Sequence, residues 1–400
     1  MNIEIPKKAY KILNALENAG YDAYVVGGCV RDSLLGIKPD DWDITTSATP
    51  DQVKEVFSRT VDTGIKHGTV SVICEGELFE VTTYRIDGDY TDGRHPEWVT
   101  YTSNLVEDLK RRDFTVNAMA YNPMVGIVDL FGGVDDLRNK IIRAVGNPIE
   151  RFKEDALRML RAIRFAAKYG FEIEEETYAA IGVLKDNLSL VSSERINQEL
   201  TKTLLSQNPG HIKYIEKSGL MPYVCDGLRT DEAVIGLSEV EPDIALRLSI
   251  ALKTYGGPEP VKAALRKLKY DNKTIKRVVT VVDSYDKDIP TDSVLIKKWM
   301  FEKGADAVMD IYKCHMVLRE SEELKASYRE YERILRDKEP YSLSMLPICG
   351  KDLMDMGYPH GKRIGDELLH LLELVMEDKD LCNRDSLMAI ARMGMNPNEN

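Results

Sequence analysis

The chain has 400 residues, a length that predicts two to four domains. Its formal net charge of −12 argues against a protein that coats nucleic acid through bulk charge, although a local basic track remains compatible with it. No apolar run approaches the ~20 residues that span a membrane, and the N-terminus lacks the pattern of a signal peptide. The six cysteines form no C-x-x-C pair, which argues against zinc and predicts free thiols in a reducing cytoplasm.

The stretch 25–46 carries the first chemical signal. It predicts a strand, a Gly27-Gly28 turn, a short helix, a loop and a second strand with Asp41 and Asp43. Two carboxylates two positions apart on a strand share a face, where they repel each other unless a cation lies between them. Mg²⁺ suits such a pair, and a bare glycine turn suits a triphosphate. Alone, each motif is more often a solvated strand end or a plain turn, but together they predict metal-assisted phosphoryl or nucleotidyl transfer.

The complete pattern is GG-x-VRD-x-LLG-x-x-P-x-D-x-D. It resembles the nucleotidyltransferase superfamily of DNA polymerase β, in the branch of class II tRNA nucleotidyltransferases (CCA-adding enzymes) and bacterial poly(A) polymerases. The resemblance implies an α/β head with a small mixed sheet, followed by an all-α neck, body and tail. It also implies that Asp41 and Asp43 are catalytic and bind Mg²⁺, and that Gly27, Gly28 and Arg31 support the triphosphate.

Two further head strands are predicted at about 69–74 and 78–84 from their apolar composition. Glu80, on the second of them, is either a third metal ligand or a surface carboxylate, and the two interpretations have equal weight. The segment 85–98 is charged and rich in glycine, which predicts a mobile loop. In the resembled family, a flexible loop at this place is needed for adding A. The loop of this chain, including residues 92–94, has the full length.

Three consecutive cations end at Arg112 and precede the sequence DFTVNA. By themselves they fit a solvated turn, but the whole segment matches the RRDFT-x-NA motif of the resembled family. A planar guanidinium binds two phosphate oxygens at once, which makes Arg111 and Arg112 candidates for triphosphate and sugar contacts. The resemblance adds Asn117 to this set.

The predicted neck contains a basic island within the acidic chain. Residues 143–168 include seven basic and three acidic side chains, a local net charge of +4, and this charge favours RNA phosphate. Arg161 and Arg164 are candidates for nucleotide or RNA contacts. The run 151–166 has the periodicity of a continuous helix. Further along, Arg195 and Glu199 are four positions apart and are expected to pair.

Within this run, the sequence Glu154-Asp155-Ala-Leu-Arg158 has two interpretations. The spacing fits a surface ion pair contributing ~0.3–0.5 kcal/mol. Alternatively, Asp155 and Arg158 share a helix face and together bind a base. A carboxylate accepts from the amino group of cytosine or adenine, and a guanidinium donates to the neighbouring ring nitrogen, whereas uracil and guanine present the opposite pattern. The sequence matches the E-D-x-x-R template motif of the resembled family, which assigns base recognition to these two positions.

Beyond residue 206, helical spacing with few strand signals predicts an all-α region. Near its end, the segment 350–365 resembles the tail element that meets the tRNA elbow in the family. Lys362 and Arg363 in it are either ligands of a backbone phosphate or part of a simple helix start. The resulting division is head 1–140, neck 141–206, body 207–310 and tail 311–400.

The resemblance implies template-independent addition of CMP and AMP, from CTP and ATP, to the 3′ end of tRNA by a two-metal mechanism that releases pyrophosphate. Three alternatives remain: an enzyme that adds only the terminal A beside a CC-adding partner, a poly(A) polymerase, and a non-catalytic RNA-binding module. The sequence has no long basic C-terminal extension, which disfavours a poly(A) polymerase. The intact Asp-x-Asp and E-D-x-x-R motifs disfavour the non-catalytic module. The motifs leave the oligomeric state open.

Overall fold

The computed structural model describes residues 3–88, 98–226, 228, 230, 236–319 and 321–394. Residues 92–94 of the predicted mobile loop lie outside this part of the chain. The chain divides into two compact units, the first being Met1–Val234 with Lys267–Lys269 and the second comprising Ile235–Arg266 and Tyr270–Asn400. The first unit therefore contains the predicted head, the predicted neck and the start of the predicted body.

The head contains a mixed sheet, as predicted. Its strands and those of a small hairpin are β1 (Ala23–Val26), β2 (Ile44–Thr46), β3 (Thr60–Gly64), β4 (Thr69–Cys74), β5 (Glu77–Thr83), β6 (Arg85–Asp87), β7 (Val99–Tyr101), β8 (Met119–Asn122) and β9 (Gly126–Asp129). Seven of them form one sheet in the order β3-β4-β5-β2-β1-β8-β9, and β6 pairs with β7. Within the large sheet, β2 and β5 run parallel and the other neighbours are antiparallel. The centre of the sheet is apolar, with Val25, Ile44 and Val81 fully buried.

The helices of the first unit cover this sheet and build the neck. They are α1 (Lys7–Asn18), α2 (Gly28–Leu34), α3 (Pro50–Val56), α4 (Leu105–Lys110), α5 (Gly133–Asn139), α6 (Pro148–Glu154), α7 (Leu157–Tyr169), α8 (Glu175–Leu184), α9 (Ser193–Leu204), α10 (Lys213–Lys217) and α11 (Met221–Cys225). One short parallel pair, β10 (Ile141–Ile142) with β11 (Glu172–Ile173), joins the neck helices. Helix α3 begins with a capping box in which Thr49 and Gln52 bond reciprocally.

The continuous helix predicted for 151–166 is wrong, because the chain breaks it at Asp155. This residue has an extended backbone, with φ −144° and ψ 103°, so α6 ends at Glu154. The Asp155 carboxylate then accepts a hydrogen bond from the backbone N–H of Leu157, at 3.1 Å, where α7 begins. A short carboxylate side chain that bonds its own backbone two residues on competes with the helix and ends it.

The second unit is helical throughout its described part, as predicted. Its helices are α12 (Ile244–Ala251), α13 (Pro258–Lys267), α14 (Asn272–Val282), α15 (Ser293–Lys303), α16 (Ala305–Leu318), α17 (Glu322–Arg336), α18 (Gly350–Asp355), α19 (Lys362–Glu377) and α20 (Arg384–Gly394). Lys297 and Glu339 form a buried ion pair at 2.7 Å inside it. All six cysteines of the chain are free thiols, as expected. None of the described helices combines the length and the apolar character needed to cross a membrane.

Candidate active site

The Gly27-Gly28 turn joins β1 to α2 and is flanked by two guanidinium groups. Gly27 has φ +76° and ψ −122°, a conformation that glycine adopts readily and other residues rarely do. A Cβ on Gly27 would lie 3.0 Å from Nη1 of Arg112, and one on Gly28 would lie 3.5 Å from Nη2 of Arg31. The missing side chains therefore leave room beside two cations.

Both guanidinium groups retain donors that the protein does not satisfy. Arg31 is buried, donating from Nε to Asp32 at 2.8 Å and from Nη1 to Asn117, while its Nη2 has no partner among the described residues. Arg112 donates from Nη2 to Asp108 at 3.3 Å, and its Nε is buried without a hydrogen-bond partner in the described structure. Leaving a buried charged donor unsatisfied is costly. The buried, unsatisfied Nε of Arg112 and the Nη2 of Arg31, which has no partner among the described residues, both lie beside a bare turn and therefore suit an anion with several oxygens, such as a triphosphate.

Asp41 and Asp43 precede strand β2 rather than lying on it, since the strand begins at Ile44. The prediction that both residues lie on the strand is therefore wrong. Asp43 still contacts strand β1, because the backbone N–H of Val26 donates to the Asp43 carbonyl at 3.0 Å. Burial, followed by the charges of Asp41 and Glu80, raises the pKa of Asp43 to about 6 against the opposing charge of Arg112. Arg112 therefore acts on both features: its guanidinium flanks the glycine turn, and its charge opposes the rise in the pKa of Asp43.

The carboxylates line a cavity of about 620 Å³ on the face of the head. Glu80 lines the same cavity from β5, paired across the sheet with Ser71 of β4, and it is exposed. The described residues contain no group of three or more His, Cys, Asp or Glu side chains that could hold a metal. Asp41 and Asp43 are oxygen ligands whose mutual repulsion a cation would relieve, and Mg²⁺ commonly takes one or two carboxylates and completes its shell with water and phosphate. The pair fits that ion.

Asp155 and Arg158 do not share a helix face, because the break at Asp155 separates them. Arg195 of α9 binds the Asp155 carboxylate with two hydrogen bonds, of 3.1 and 2.8 Å. Arg158 pairs with Glu154 at 2.6 Å and also donates to the carbonyl oxygen of Arg111 at 3.0 Å. The two side chains are thus held separately, each by its own partner.

The predicted pair between Arg195 and Glu199 is also wrong, because each side chain binds a residue outside helix α9. Glu199 binds Arg164 of α7, and Arg195 binds Asp155. An i,i+4 pair on one helix contributes only a few tenths of a kcal/mol to stability. Pairing with residues of other elements can therefore replace it. Arg195 is consequently a residue of the candidate site that the sequence interpretation missed.

Six of the seven basic side chains of the basic island form ion pairs with acidic side chains, most of which lie elsewhere in the first unit. Arg161 pairs with Asp113 at 2.6 Å, and Arg164 with Glu199. The remaining pairs are Arg143 with Asp136 and Glu174, Arg151 and Arg158 with Glu154, and Lys168 with Asp32. Burial by itself would raise the pKa of Asp113, but Arg161 and Asn117 hold that pKa well below its usual range. Arg161 and Arg164 therefore act first as partners of buried carboxylates.

Three other predicted positions have different surroundings. Arg111 of the RRDFT motif binds Asp108 at 2.7 Å and lies 3.7 Å from Asp87, the last residue of β6. Lys362 is exposed at the first position of α19 in the second unit, after Gly361 with φ +118°. Arg363 follows it and is half-buried. The roles assigned to Lys362 and Arg363 stay predictions.

Comparison with known proteins gives a consistent result along the chain. Residues 23–143 match the family described as the Poly A polymerase head domain, residues 170–230 an RNA and SrmB-binding site of polymerase A, and residues 244–391 a tRNA nucleotidyltransferase domain 2. Proteins named CCA-adding enzyme are 38% identical in Ligilactobacillus salivarius, covering 92% of this chain and 91% of that protein, and 37% identical in Limosilactobacillus reuteri, covering 95% and 94%. The solved CCA-adding enzyme of Bacillus stearothermophilus in complex with CTP is 30% identical, with a TM-score of 0.82 over 97% of both chains.

We predict that Gly27→Ala weakens both folding and triphosphate binding. A side chain at φ +76° is strained by about 1–3 kcal/mol, and its Cβ would approach Arg112 to 3.0 Å. Urea unfolding and ATP binding by calorimetry test both effects. Gly28→Ala is the matched control for stability, because its Cβ would make only an ordinary contact. A Gly27→Ala protein as stable as the wild type, with equal ATP affinity, would contradict this prediction.

We further predict that Asp43→Asn stabilises the metal-free protein at pH 8. The folded-state pKa of about 6 exceeds the unfolded value of ~3.9, so the contribution of Asp43 to stability is present below the unfolded pKa and is lost as the pH rises through 6. The asparagine removes this loss, which amounts to about 1–3 kcal/mol.

Urea unfolding in EDTA at pH 8 and pH 5 measures this difference. The gain of Asp43→Asn over the wild type should shrink at pH 5, and added Mg²⁺ should stabilise the wild type more than the variant. Asp40→Asn, an exposed carboxylate on the same cavity, is the control. A variant less stable than the wild type at pH 8 in EDTA would refute the raised pKa of Asp43.

Proposed function

The chain belongs to the CCA-adding enzyme family, and we propose that it adds CMP and AMP, from CTP and ATP, to the 3′ end of tRNA without a nucleic-acid template, releasing pyrophosphate. One observation carries the proposal: the guanidinium groups of Arg31 and Arg112 flank a bare glycine turn directly beside the Asp41–Asp43 pair. An anion site that adjoins a pair of carboxylates suits a nucleoside triphosphate bound with a cation. Because the proposed substrate is tRNA, we expect the chain to work in the cytoplasm.

In this proposal, Arg31 and Arg112 bind the triphosphate with the donors that the protein leaves unsatisfied. Gly27 and Gly28 let the phosphates approach the backbone. Asn117 accepts from Nη1 of Arg31 and donates to Asp113 at 2.9 Å, so it orients the guanidinium. Arg111 supports the site indirectly, since its carbonyl oxygen accepts from Arg158.

Asp41 and Asp43 would hold Mg²⁺ in this site, with Glu80 as a third carboxylate on the same cavity. When bound, the ion neutralises triphosphate charge and increases the acidity of the attacking 3′-hydroxyl. With a pKa of about 6, Asp43 is mainly deprotonated at neutral pH and is available as a ligand. Arg112 adds a fixed positive charge beside it, where negative charge accumulates on the leaving phosphates.

We propose that Asp155 and Arg158 read the base with the hydrogen-bonding capacity that their protein partners leave free. A carboxylate offers about four lone-pair sites, and Asp155 uses three of them on Arg195 and Leu157. Arg158 has about five N–H donors and uses three, on Glu154, the Arg151 carbonyl and the Arg111 carbonyl. One acceptor and two donors remain. They complement the amino group and ring nitrogen shared by cytosine and adenine.

The function is tested with tRNA transcripts that end at the discriminator base, at C or at CC. Each is incubated with CTP, ATP or both in Mg²⁺, and the products are resolved on a gel. Addition of three nucleotides to the bare transcript, followed by a halt, is the expected result. Extension of the CC-ended transcript alone by a single A would indicate an A-adding enzyme, and long A tails would indicate a poly(A) polymerase.

The matched variant in this assay is Asp41→Ala, which should abolish addition while tRNA binding in a filter assay stays within about twofold of the wild type. Loss of addition follows because the cation loses one of its two carboxylate ligands. Turnover retained by Asp41→Ala would refute the metal assignment. Binding of tRNA by the wild type without any extension would favour the non-catalytic alternative.

We predict that the double variant Asp155→Ala/Arg158→Ala relaxes nucleotide choice. A mismatched buried polar contact costs several kcal/mol, and this penalty against UTP and GTP disappears with the two side chains. The ratio of kcat/KM for CTP to that for UTP should fall at least tenfold. Arg151→Ala, which removes a neighbouring partner of Glu154, is the control. A double variant that still discriminates against UTP and GTP as the wild type does would refute base reading by this pair.

A further inference from the structure

The neck helix α7 contacts the anion site of the head through Tyr169, its last residue. The Tyr169 hydroxyl donates to Oδ1 of Asp32 at 2.7 Å, and the same oxygen accepts from Nε of Arg31 at 2.8 Å. Burial by itself would raise the pKa of Asp32, but the bonds from Arg31 and Tyr169 hold that pKa below its usual value. Asp32 is therefore an anion that joins a neck tyrosine to a head arginine.

Two aromatic rings of α7 also hold the Arg31 guanidinium. Its central carbon lies 4.8 Å from the ring centroid of Tyr169 and 5.1 Å from that of Phe165. The two rings are nearly parallel, with an interplanar angle of 9° and centroids 6.3 Å apart. Cation–π contacts of this kind are strongest where water is excluded, and Arg31 and Phe165 are only about 5% exposed.

These contacts leave one nitrogen of Arg31, Nη2, available to a ligand. Asp32 binds Nε, Asn117 binds Nη1, and the two rings contact the guanidinium, so Nη2 is left beside Gly28. An arginine side chain has large rotamer entropy, and holding it before the ligand arrives lowers the cost of binding. Tyr169 supplies two of these restraints, the hydrogen bond to Asp32 and the ring contact with Arg31.

We propose that Tyr169 is a positioning residue for the nucleotide triphosphate, which orients Arg31 toward the Gly27-Gly28 turn equally for every nucleotide. This inference rests on the proposed function, because it assigns the anion site to a triphosphate. It separates two tasks of the neck. Asp155 and Arg158 distinguish bases, whereas Tyr169 acts on the phosphates, which all nucleotides share.

Three variants test the proposal. Tyr169→Phe keeps the ring and removes the hydroxyl, and Tyr169→Leu removes both restraints. Tyr214→Phe is the matched control, since Tyr214 is a half-buried tyrosine of α10 in the same unit that donates to the carboxylate of Glu172 at 3.0 Å. Binding of CTP, ATP and inorganic tripolyphosphate to each full-length protein is measured by calorimetry without tRNA. Tripolyphosphate carries no base and therefore reports on the phosphate contacts alone.

We expect Tyr169→Phe to weaken all three ligands by the same factor, about three- to tenfold, and Tyr169→Leu to weaken them further. Tyr214→Phe should bind as the wild type does. In the addition assay, KM for CTP and for ATP should rise together in Tyr169→Phe, with kcat within about twofold and the preference for CTP over UTP unchanged. A purely structural role would lower the unfolding temperature without this equal shift in affinity.

Unchanged tripolyphosphate affinity in both Tyr169 variants would overturn the proposal, and so would unequal losses for CTP and ATP. An equal loss in Tyr214→Phe would also overturn it, because the effect would then follow from any lost tyrosine–carboxylate bond in the first unit. If the wild type bound tripolyphosphate but neither CTP nor ATP, the proposed function would fail while the contact between Tyr169 and the anion site stood. If the wild type bound none of the three, both would fail.

Discussion

Like charges crowd together on both sides of one backbone turn, and the surrounding structure is arranged to hold them there. Arg31 and Arg112 flank Gly27 and Gly28, and burial together with the charges of Asp41 and Glu80 raises the pKa of Asp43 to about 6. The guanidinium groups and the carboxylates each destabilise the folded protein while the site is empty. A ligand of opposite charge would relieve the repulsion within each set. Sites that are destabilised in the absence of their ligand are typical of catalytic centres, where function takes precedence over stability.

Buried ion pairs surround this site, and one of them, Asp113 with Arg161, links the head to the neck helix α7. Asp108 binds Arg111 and Arg112 and is fully buried, Asp113 binds Arg161, and Asp32 binds Arg31. Breaking such a pair leaves a buried charge without compensation, which costs about 3–5 kcal/mol, although the intact pair adds little net stability. These pairs therefore contribute mainly orientation. They hold guanidinium groups where a phosphate or a base can use the donors that remain.

The helix break at Asp155 changes how the neck can recognise a base. On a continuous helix, Asp155 and Arg158 would be neighbours on one face and could bond each other. The break separates them and assigns each a different partner, Arg195 for the carboxylate and Glu154 for the guanidinium. Because the partners satisfy only part of the hydrogen-bonding capacity of each side chain, both retain free sites. In the proposed base reading, the free acceptor and donors are therefore available to the nucleotide, whereas a mutual ion pair would have used them.

Local patterns in the sequence determined the fold class, the strands at 69–74 and 78–84, the glycine turn with its carboxylates, and the helical character of the second unit, because periodicity and turn chemistry act over a few residues. Only the tertiary structure decided the partners of the charges. Six of the seven basic side chains of the neck island form ion pairs, with Asp113, Asp136, Glu154, Glu174, Glu199 and Asp32, and Arg195 pairs with Asp155 rather than with Glu199. The physical reason is that an exposed pair within one helix contributes a few tenths of a kcal/mol, whereas a buried carboxylate requires a partner from whichever element packs against it.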